Sequence, residues 1–368
     1  MLPTLSLVIL DRARRCGVPL LLGLLLSGCS SLDYYAQLAG GQWQLLQARE
    51  PVGAIIADPA RDPQLQRRLA LAQQARSFAS AQLGLPDNRS YRLYADLQRP
   101  YVVWNVFATA ELSLAPLTHC FPIAGCVAYR GFYQQGRARG AAALLRQEGL
   151  DTYVAGIEAY STLGWFDDPI LNSMLRWDDE RLAAVIFHEL AHQQLYVQDD
   201  TAFNESFASF VEQEGLRQWR ARRGLPAQDD AGERQKQQFI ALILASRARL
   251  EQLYASPRSD AAKRQGKAAE FARLRSEYRQ LRDRQWRGDR RFDAWINAPL
   301  NNAKLLPFGL YDRWVPAFAA LFAQAGSDWA EFYRRSSALG ELAADERKRA
   351  LAALMDSSRV SSYAASAR

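Results

Sequence analysis

In the stretch AAVIFHELAHQQLYVQDDTAFNESFASFVEQEG, Ala183 to Gly215, two histidines stand four residues apart and a glutamate directly follows the first. Four residues return a helical side chain to the same face one turn along, so His188 and His192 can present ring nitrogens to one tetrahedral cation. Glu189 lies beside them, close enough to reach a water at the ion without coordinating the ion itself. That division of labour suits a metal hydrolase. The ion acidifies water and polarises a carbonyl, while the carboxylate takes a proton and later hands it to the leaving amine. The plainer reading is an amphipathic helix with two satisfied imidazoles, but a chain with three histidines in all rarely places two of them at this spacing by accident.

A catalytic zinc needs a third protein ligand and an open fourth position. No histidine follows His192, so a carboxylate must supply it. Glu205 is the best placed, because TAFNESFASFVEQEG reads as a second helix with Asp200 or Thr201 as its cap and Phe203, Phe207 and Phe210 as its buried stripe. Glu205, Ala208 and Glu212 share another face, where the small Ala208 lets two helices approach closely. Asp199, Asp200 and Glu212 remain alternative ligands. The first helix is expected to start at Asp178 or Asp179 and to bury Leu182, Val185, Ile186 and Leu190. A donor for a developing oxyanion must be a tyrosine or an arginine; Tyr311 is preferred, with Tyr129, Arg130 and Tyr160 as competitors.

The elements that must position these groups follow from hydrophobic periodicity. Residues 30–45 read as a tether becoming a short helix, and Asp62 to Leu85 as a helix ended by Gly84 and Pro86. YRLYADL, YVVWNVFAT, Val127 to Phe132 and Thr152 to Leu163 read as strands, with a helix through GRARGAAALLRQEGL between the last two. Val154 to Tyr160 is expected to be an edge strand that aligns a peptide backbone. Beyond Gly215 the pattern is helical. Phe239, Ile243, Ser246, Leu250 and Leu253 form one seam and Phe271, Leu274, Tyr278 and Leu281 a second, interrupted by Pro257, which predicts a long antiparallel hairpin. Such a hairpin either packs on the body or offers an arm to a partner. The expected regions are a signal peptide at 1–28, a tether and first helix at 29–60, a catalytic region at 61–220, the hairpin at 221–290, and a helical region at 291–368 that completes the cleft.

At 368 residues and 49% hydrophobic content the chain can bury a substantial core. Its net charge is +7, and the basic residues read as scattered among acids over a solvated surface. No basic-aromatic module is present, which argues against nucleic-acid binding. Near the N-terminus Arg12, Arg14 and Arg15 precede VPLLLGLLLSGCSS, an apolar run too short to span a bilayer but suited to an export signal. Apolar Leu2 to Leu10 precede those arginines, which suggests a later translation start, for instance at Val8. Leu26-Ser27-Gly28-Cys29 resembles a bacterial lipobox, in which Cys29 is lipidated and becomes the first mature residue; the following Ser30 is read as sorting to the outer membrane, facing the periplasm. A non-lipidated signal peptide is the alternative. Export would place Cys120 and Cys126 in an oxidising compartment, where a C-x5-C pair can close as a disulfide; two free thiols or a small metal site with His119 are the other readings.

HExxH followed by a second-helix NExxA resembles the glutamate-zincin metallopeptidases. From the lipobox through HCFPIAGCVAYRGF, AYSTLGWFDDP, FHELAHQ, FNESFA and LNNAKL, the chain resembles a bacterial family labelled predicted aminopeptidases. The resemblance implies an α+β, mainly α, zincin-like core and a zinc ion held by His188, His192 and Glu205, with Glu189 as general base. Two features depart from the better-known zincins: the spacer between His192 and Glu205 is shorter, and no G-x-M-E-N segment is present to capture a substrate's free amine. The expectation is a zinc peptidase acting on peptides and tethered to a membrane through Cys29. Its rivals are a non-catalytic envelope lipoprotein with a structural metal and a partner-binding hairpin, and a metal amidase acting on cell-wall material.

Overall fold

The computed structural model describes residues 32–121, 125–159, 162, 164–226, 231–308 and 313–366. Cys29, Tyr160 and Tyr311 lie outside the described residues. The chain divides after Ala48 into two compact units, Met1–Ala48 and Arg49–Arg368. In the first, residues 32–47 form helix α1. The expected regions at 61–220, 221–290 and 291–368 all lie within the second. No helix among the described residues is long and apolar enough to cross a membrane.

The second unit is α+β and mainly helical. After β1 (Arg49–Pro51) and α2 (Val52–Ala57) comes the long α3 (Pro63–Leu83). Asp62 caps α3 by accepting from the amides of Gln64 and Leu65, Pro63 fits the first turn without needing a donor, and Gly84 ends the helix in the left-handed conformation. The strands that follow are β2 (Leu93–Ala95), β3 (Val103–Ala110), β4 (His119–Phe121), β5 (Gly125–Val127), β6 (Tyr129–Phe132), β7 (Leu150–Ile157) and β8 (Ile170–Leu171), with α4 (Gln135–Gln147) between β6 and β7.

The strands form two three-stranded sheets, β1-β2-β8 and β6-β3-β7, and a separate β4-β5 hairpin, rather than the one small N-terminal sheet that the strand run before the histidine helix predicts. YRLYADL yields only the three residues of β2, because Tyr91 lies in a turn in the left-handed region at φ 63° and the strand starts only at Leu93. β7 begins two residues before the expected Thr152 and pairs antiparallel with β3 from Val103↔Ile157 to Ala110↔Leu150. Central β3 is buried along most of its length, as expected of a strand covered on both faces. In the cysteine segment β4 and β5 pair antiparallel, so that Cys120 and Cys126 face each other across the strands and are joined as a disulfide.

The helices that carry the histidine motif are α5 (Asp179–Gln194) and α6 (Thr201–Arg222). They pack on each other and on α3, so closely that a Cβ at Gly215 would stand 2.7 Å from Leu83 and 3.1 Å from Phe187. The other face of α6 is sealed by rings. Phe207 stacks on Phe332 at 5.8 Å, and Phe203 meets Phe318 edge-on at 5.2 Å.

The hairpin forms as expected, from α7 (Ala231–Ala255) and α8 (Asp260–Gln285). It lies on the body: Leu114, Ile296 and Leu305 join its apolar seam, and Lys267 reaches Asp151 of β7 at 2.6 Å. Beyond it come α9 (Asp293–Asn297), α10 (Asn302–Leu305), α11 (Val315–Gln324), α12 (Trp329–Glu341) and α13 (Ala344–Ser366). The LNNAKL segment works as a tie. Asn301 donates to the Thr152 carbonyl of β7, and Asn302 donates to the carbonyls of Glu111 and Ser113. Charge is less evenly spread than expected. Residues 231–293 hold sixteen basic and eight acidic side chains, a surplus of eight, so the rest of the chain has a net charge of −1.

Candidate metal centre

Helix α5 starts where the Asp178 side chain accepts from the Arg181 amide at 2.7 Å, and Asp179 and Glu180 occupy the first turn, where negative charge complements the helix dipole. Leu182, Ile186 and Leu190 are fully buried, whereas Val185, expected among them, is half-buried and faces a cleft. Burying that stripe turns His188 and His192 toward the acids of α6, and Glu189 is buried beside them.

The turn between the two helices is held from several sides. The Asn204 side chain clasps Val197, accepting from its amide and donating to its carbonyl, each at 2.7 Å. Asp200 caps α6 through the Phe203 amide, and its other oxygen accepts from Arg347 at 2.8 Å. Asp199, in the left-handed region at φ 62°, accepts from the Cys126 amide at 2.8 Å. A Cβ at Gly125 would fall 2.2 Å from that Asp199 oxygen, so only glycine allows the disulfide hairpin to seat there. Asp199 and Asp200, both alternatives for the third ligand, are therefore engaged away from the histidines.

Glu205 is the acid brought to them. Its Oε2 lies 3.4 Å from His188 Nε2 and 3.8 Å from His192 Nε2. One potential ligand atom from each of the three residues falls within a 4.8 Å group, and no other such group occurs among the described residues. Two ligands bound at zinc-like distances in a tetrahedron stand roughly 3.4 Å apart. The spacing, and a donor set of two imidazoles and one carboxylate, fit a small divalent cation that accepts nitrogen and oxygen.

Glu212 has a different part. Its Oε2 sits 2.9 Å from His188 Nδ1, behind the ring face that meets Glu205. A carboxylate on the outer nitrogen fixes the tautomer and orientation of a ligating imidazole and raises its basicity. Sequence reading named Glu212 only as an alternative ligand; the available signal was its place seven residues after Glu205, two turns along the same face of α6.

The electrostatics reflect this crowding. Burial works against a charge on His188, but hydrogen bonds to Glu205 and Glu212 outweigh it and hold the imidazole well above its ordinary range. Burial likewise opposes ionisation of Glu205 and Glu212, and the neighbouring histidines pull both below the usual carboxylate range. Glu189 is pushed up to about 7 by burial. His192 is pushed down to about 4, again by burial, and its Nδ1 has no hydrogen-bond partner among the described residues. Without a metal, His188⁺ is the cation that holds the two acids together; a divalent ion would displace that proton.

Of the other donors considered, Tyr129 packs on Phe107 at 5.5 Å and Arg130 lies over the Phe132 ring. His119 lies in β4 and joins no metal-binding group among the described residues. Beside the centre runs a cleft of about 790 Å³, lined by Glu212, by Ala184 and Val185 of α5, and by aromatic side chains from α7 and the segment after α8. Strand β7 borders it: Tyr153 bonds to Trp295, and Glu158, just past the strand, accepts from Arg181 at 2.8 Å, both partners being part of the cleft wall.

A family model described as "Putative aminopeptidase" matches residues 33–351. The chain belongs to that family. No curated protein and no solved structure matches it.

Proposed function

We propose that the protein is a zinc-dependent peptidase in which His188, His192 and Glu205 hold the ion and Glu189 is the general base. The convergence of His188 Nε2 and His192 Nε2 on Glu205 Oε2, with Glu189 on the same helix, carries this reading. Zinc bound there supplies Lewis acidity for water and for the scissile carbonyl. Glu189 takes a proton from the attacking water and returns it to the leaving amine, and a carboxyl already raised by burial suits both directions of transfer. Glu212 holds the His188 ring. Among the described residues β7 pairs only with β3 in its sheet; Asn301 takes the Thr152 carbonyl, and the part of the other edge toward Ile157 is where an extended peptide can align.

Tyr311 is the proposed oxyanion donor. Support comes from its described neighbours: Phe308 lines the cleft, and the Trp314 amide donates to Ser206, the residue after Glu205. Lipidation of Cys29, read from the lipobox, would tether the enzyme to the outer membrane facing the periplasm.

The test is metal content and hydrolysis in purified protein. Wild type should hold about one zinc per chain and cleave free-ended peptides. His188→Ala should lose the zinc. Glu189→Gln should keep it while losing about 10²–10⁴-fold in rate. Full activity of Glu189→Gln would remove the mechanism.

A further inference from the structure

The cleft has two dissimilar walls. On the α5 side stand Ala184 and Val185, four and three residues before His188, so small side chains face the space next to the metal centre. Opposite them is a mutually packed group of rings: Phe239 stacks on Phe292 at 4.1 Å, and Trp295 meets both Phe239 and Phe308 edge-on at 5.4 and 5.1 Å. The rings brace one another, so this wall is preformed rather than assembled around a ligand. Charged groups such as Arg181, Lys236 and Glu233 also line the space. Glu212 is shared by the cleft and the candidate centre: it lines the cleft and bonds to His188 Nδ1, the ring nitrogen opposite the one that meets Glu205.

We infer that this cleft is a side-chain pocket that selects peptides carrying a large apolar residue, aromatic above all, next to the scissile bond. The inference rests on the peptidase reading for the word "scissile", but the pocket itself stands on its own geometry. A volume of about 790 Å³ exceeds what one small side chain fills, and a ring there removes its own apolar surface and the remaining exposed surface of Phe292, Trp295 and Phe308 from water. An acidic side chain would lose its hydration beside Glu212, and the cations that line the space, Arg181, Lys236 and Arg291, are solvent-exposed and already paired with Glu158, Glu233 and Asp289. The helical hairpin thus acts as the specificity wall, since Phe239 and Lys236 of α7 are part of it.

The experiment uses the full zinc-loaded chain and penta-alanine with a single Phe, or a single Glu, placed at each position in turn. Cleavage sites are read by mass spectrometry, and binding of the same peptides to the Glu189→Gln protein by calorimetry. Hydrolysis should concentrate at bonds flanking Phe, with kcat/KM at least about tenfold above penta-alanine, and Glu should give no gain. Val185→Phe, which fills the cleft from the α5 side, should collapse the Phe-to-Ala ratio; Phe308→Ala, which widens it, should lower that ratio and serves if the first variant does not fold. Equal hydrolysis of all peptides would overturn the pocket and leave the peptidase. Selective binding of Phe peptides without hydrolysis, lost in Val185→Phe, would keep the pocket and remove the peptidase. Neither hydrolysis nor selective binding would overturn the pocket as well.

Discussion

Two antiparallel helix pairs, α5–α6 and α7–α8, solve opposite electrostatic problems. The hairpin keeps its seam apolar and most of its charge outside; its buried acid, Glu270, is met by Ser246 at 2.8 Å and by Arg249 at 2.9 Å. The α5–α6 pair buries Glu189 and His192 and sets half-buried Glu205 and Glu212 on either side of His188, whose protonated ring bonds to both carboxylates. Paired charges stabilise little beyond their desolvation cost, and unpaired ones cost much more. The hairpin is electrically complete as it stands, whereas the ligand pair is complete only with a cation.

The largest break in that comparison is metal binding. Zinc that binds the folded state alone should add about 4 kcal/mol at a free concentration a thousand times its dissociation constant. Urea unfolding with and without zinc measures this. The gain should vanish in Glu205→Ala, and substitutions in the hairpin seam should leave the zinc increment intact while lowering stability overall. A zinc increment that survives Glu205→Ala would mean that the two helices were not incomplete in the sense argued here.

Next in size is the buried general base in metal-free protein. Glu189 has its folded pKa raised from 4.5 to about 7, so its contribution to stability is fully present below the unfolded value and is lost as pH rises through about 7. The loss amounts to about 3 kcal/mol. Glu189→Gln does not ionise. The variant should therefore gain on wild type between pH 4.5 and 8, and the shift of His192 largely cancels in the difference. A flat difference would show that the carboxyl ionises without penalty and that the burial argument fails.

Much of this site could be read before any coordinates, and the reasons are local. A helical repeat of four fixes the relation of His188 to His192, and residue type narrows each cap to a neighbouring pair, of which Asp178 and Asp200 make the bonds. Seam periodicity gave the hairpin for the same reason. Glu205 was preferred from its helical context, but setting aside Asp199 and Asp200 needed the tertiary structure, because the disulfide hairpin and Arg347 show that the two aspartates are engaged elsewhere. Glu212 was visible as a residue but not as the partner of a ring nitrogen, since the angle between two helices is not written in either helix. The sheets were harder still. Short strands such as β2 and β8 pair across long sequence gaps, and β4 and β5 depend on a cross-strand disulfide.

The Cys120–Cys126 bond offers a smaller effect. It closes a short loop, and loop-closure entropy assigns such a bond about 2 kcal/mol. The Cys120→Ser, Cys126→Ser double variant should lose that much in urea unfolding. It should also lose zinc faster, because the hairpin seats on Asp199 in the turn that sets Glu205 against the histidines. The same variant should not alter hydrogen exchange along the hairpin seam of Phe239, Leu250 and Leu274. Unchanged zinc release would confine the disulfide to local stability and detach it from the metal centre.

Smallest of all is the response of the charge surplus on residues 231–293. Arg273 and Arg284 are exposed on α8, eleven residues apart and so nearly in line along one face. Neither braces a buried acid as Arg249 does for Glu270. Exposed positions of this kind respond within about 0.5 kcal/mol, and the sign follows from the surplus: removing like charge from a positive segment relieves repulsion. Arg273→Gln with Arg284→Gln should be neutral to slightly stabilising in low salt, and the difference should disappear at about 1 M salt, where screening reaches only about 3 Å. A clear destabilisation that persists in high salt would mean these arginines hold the hairpin together by packing. The contrast between an electrically complete hairpin and an incomplete ligand pair would then have to be redrawn.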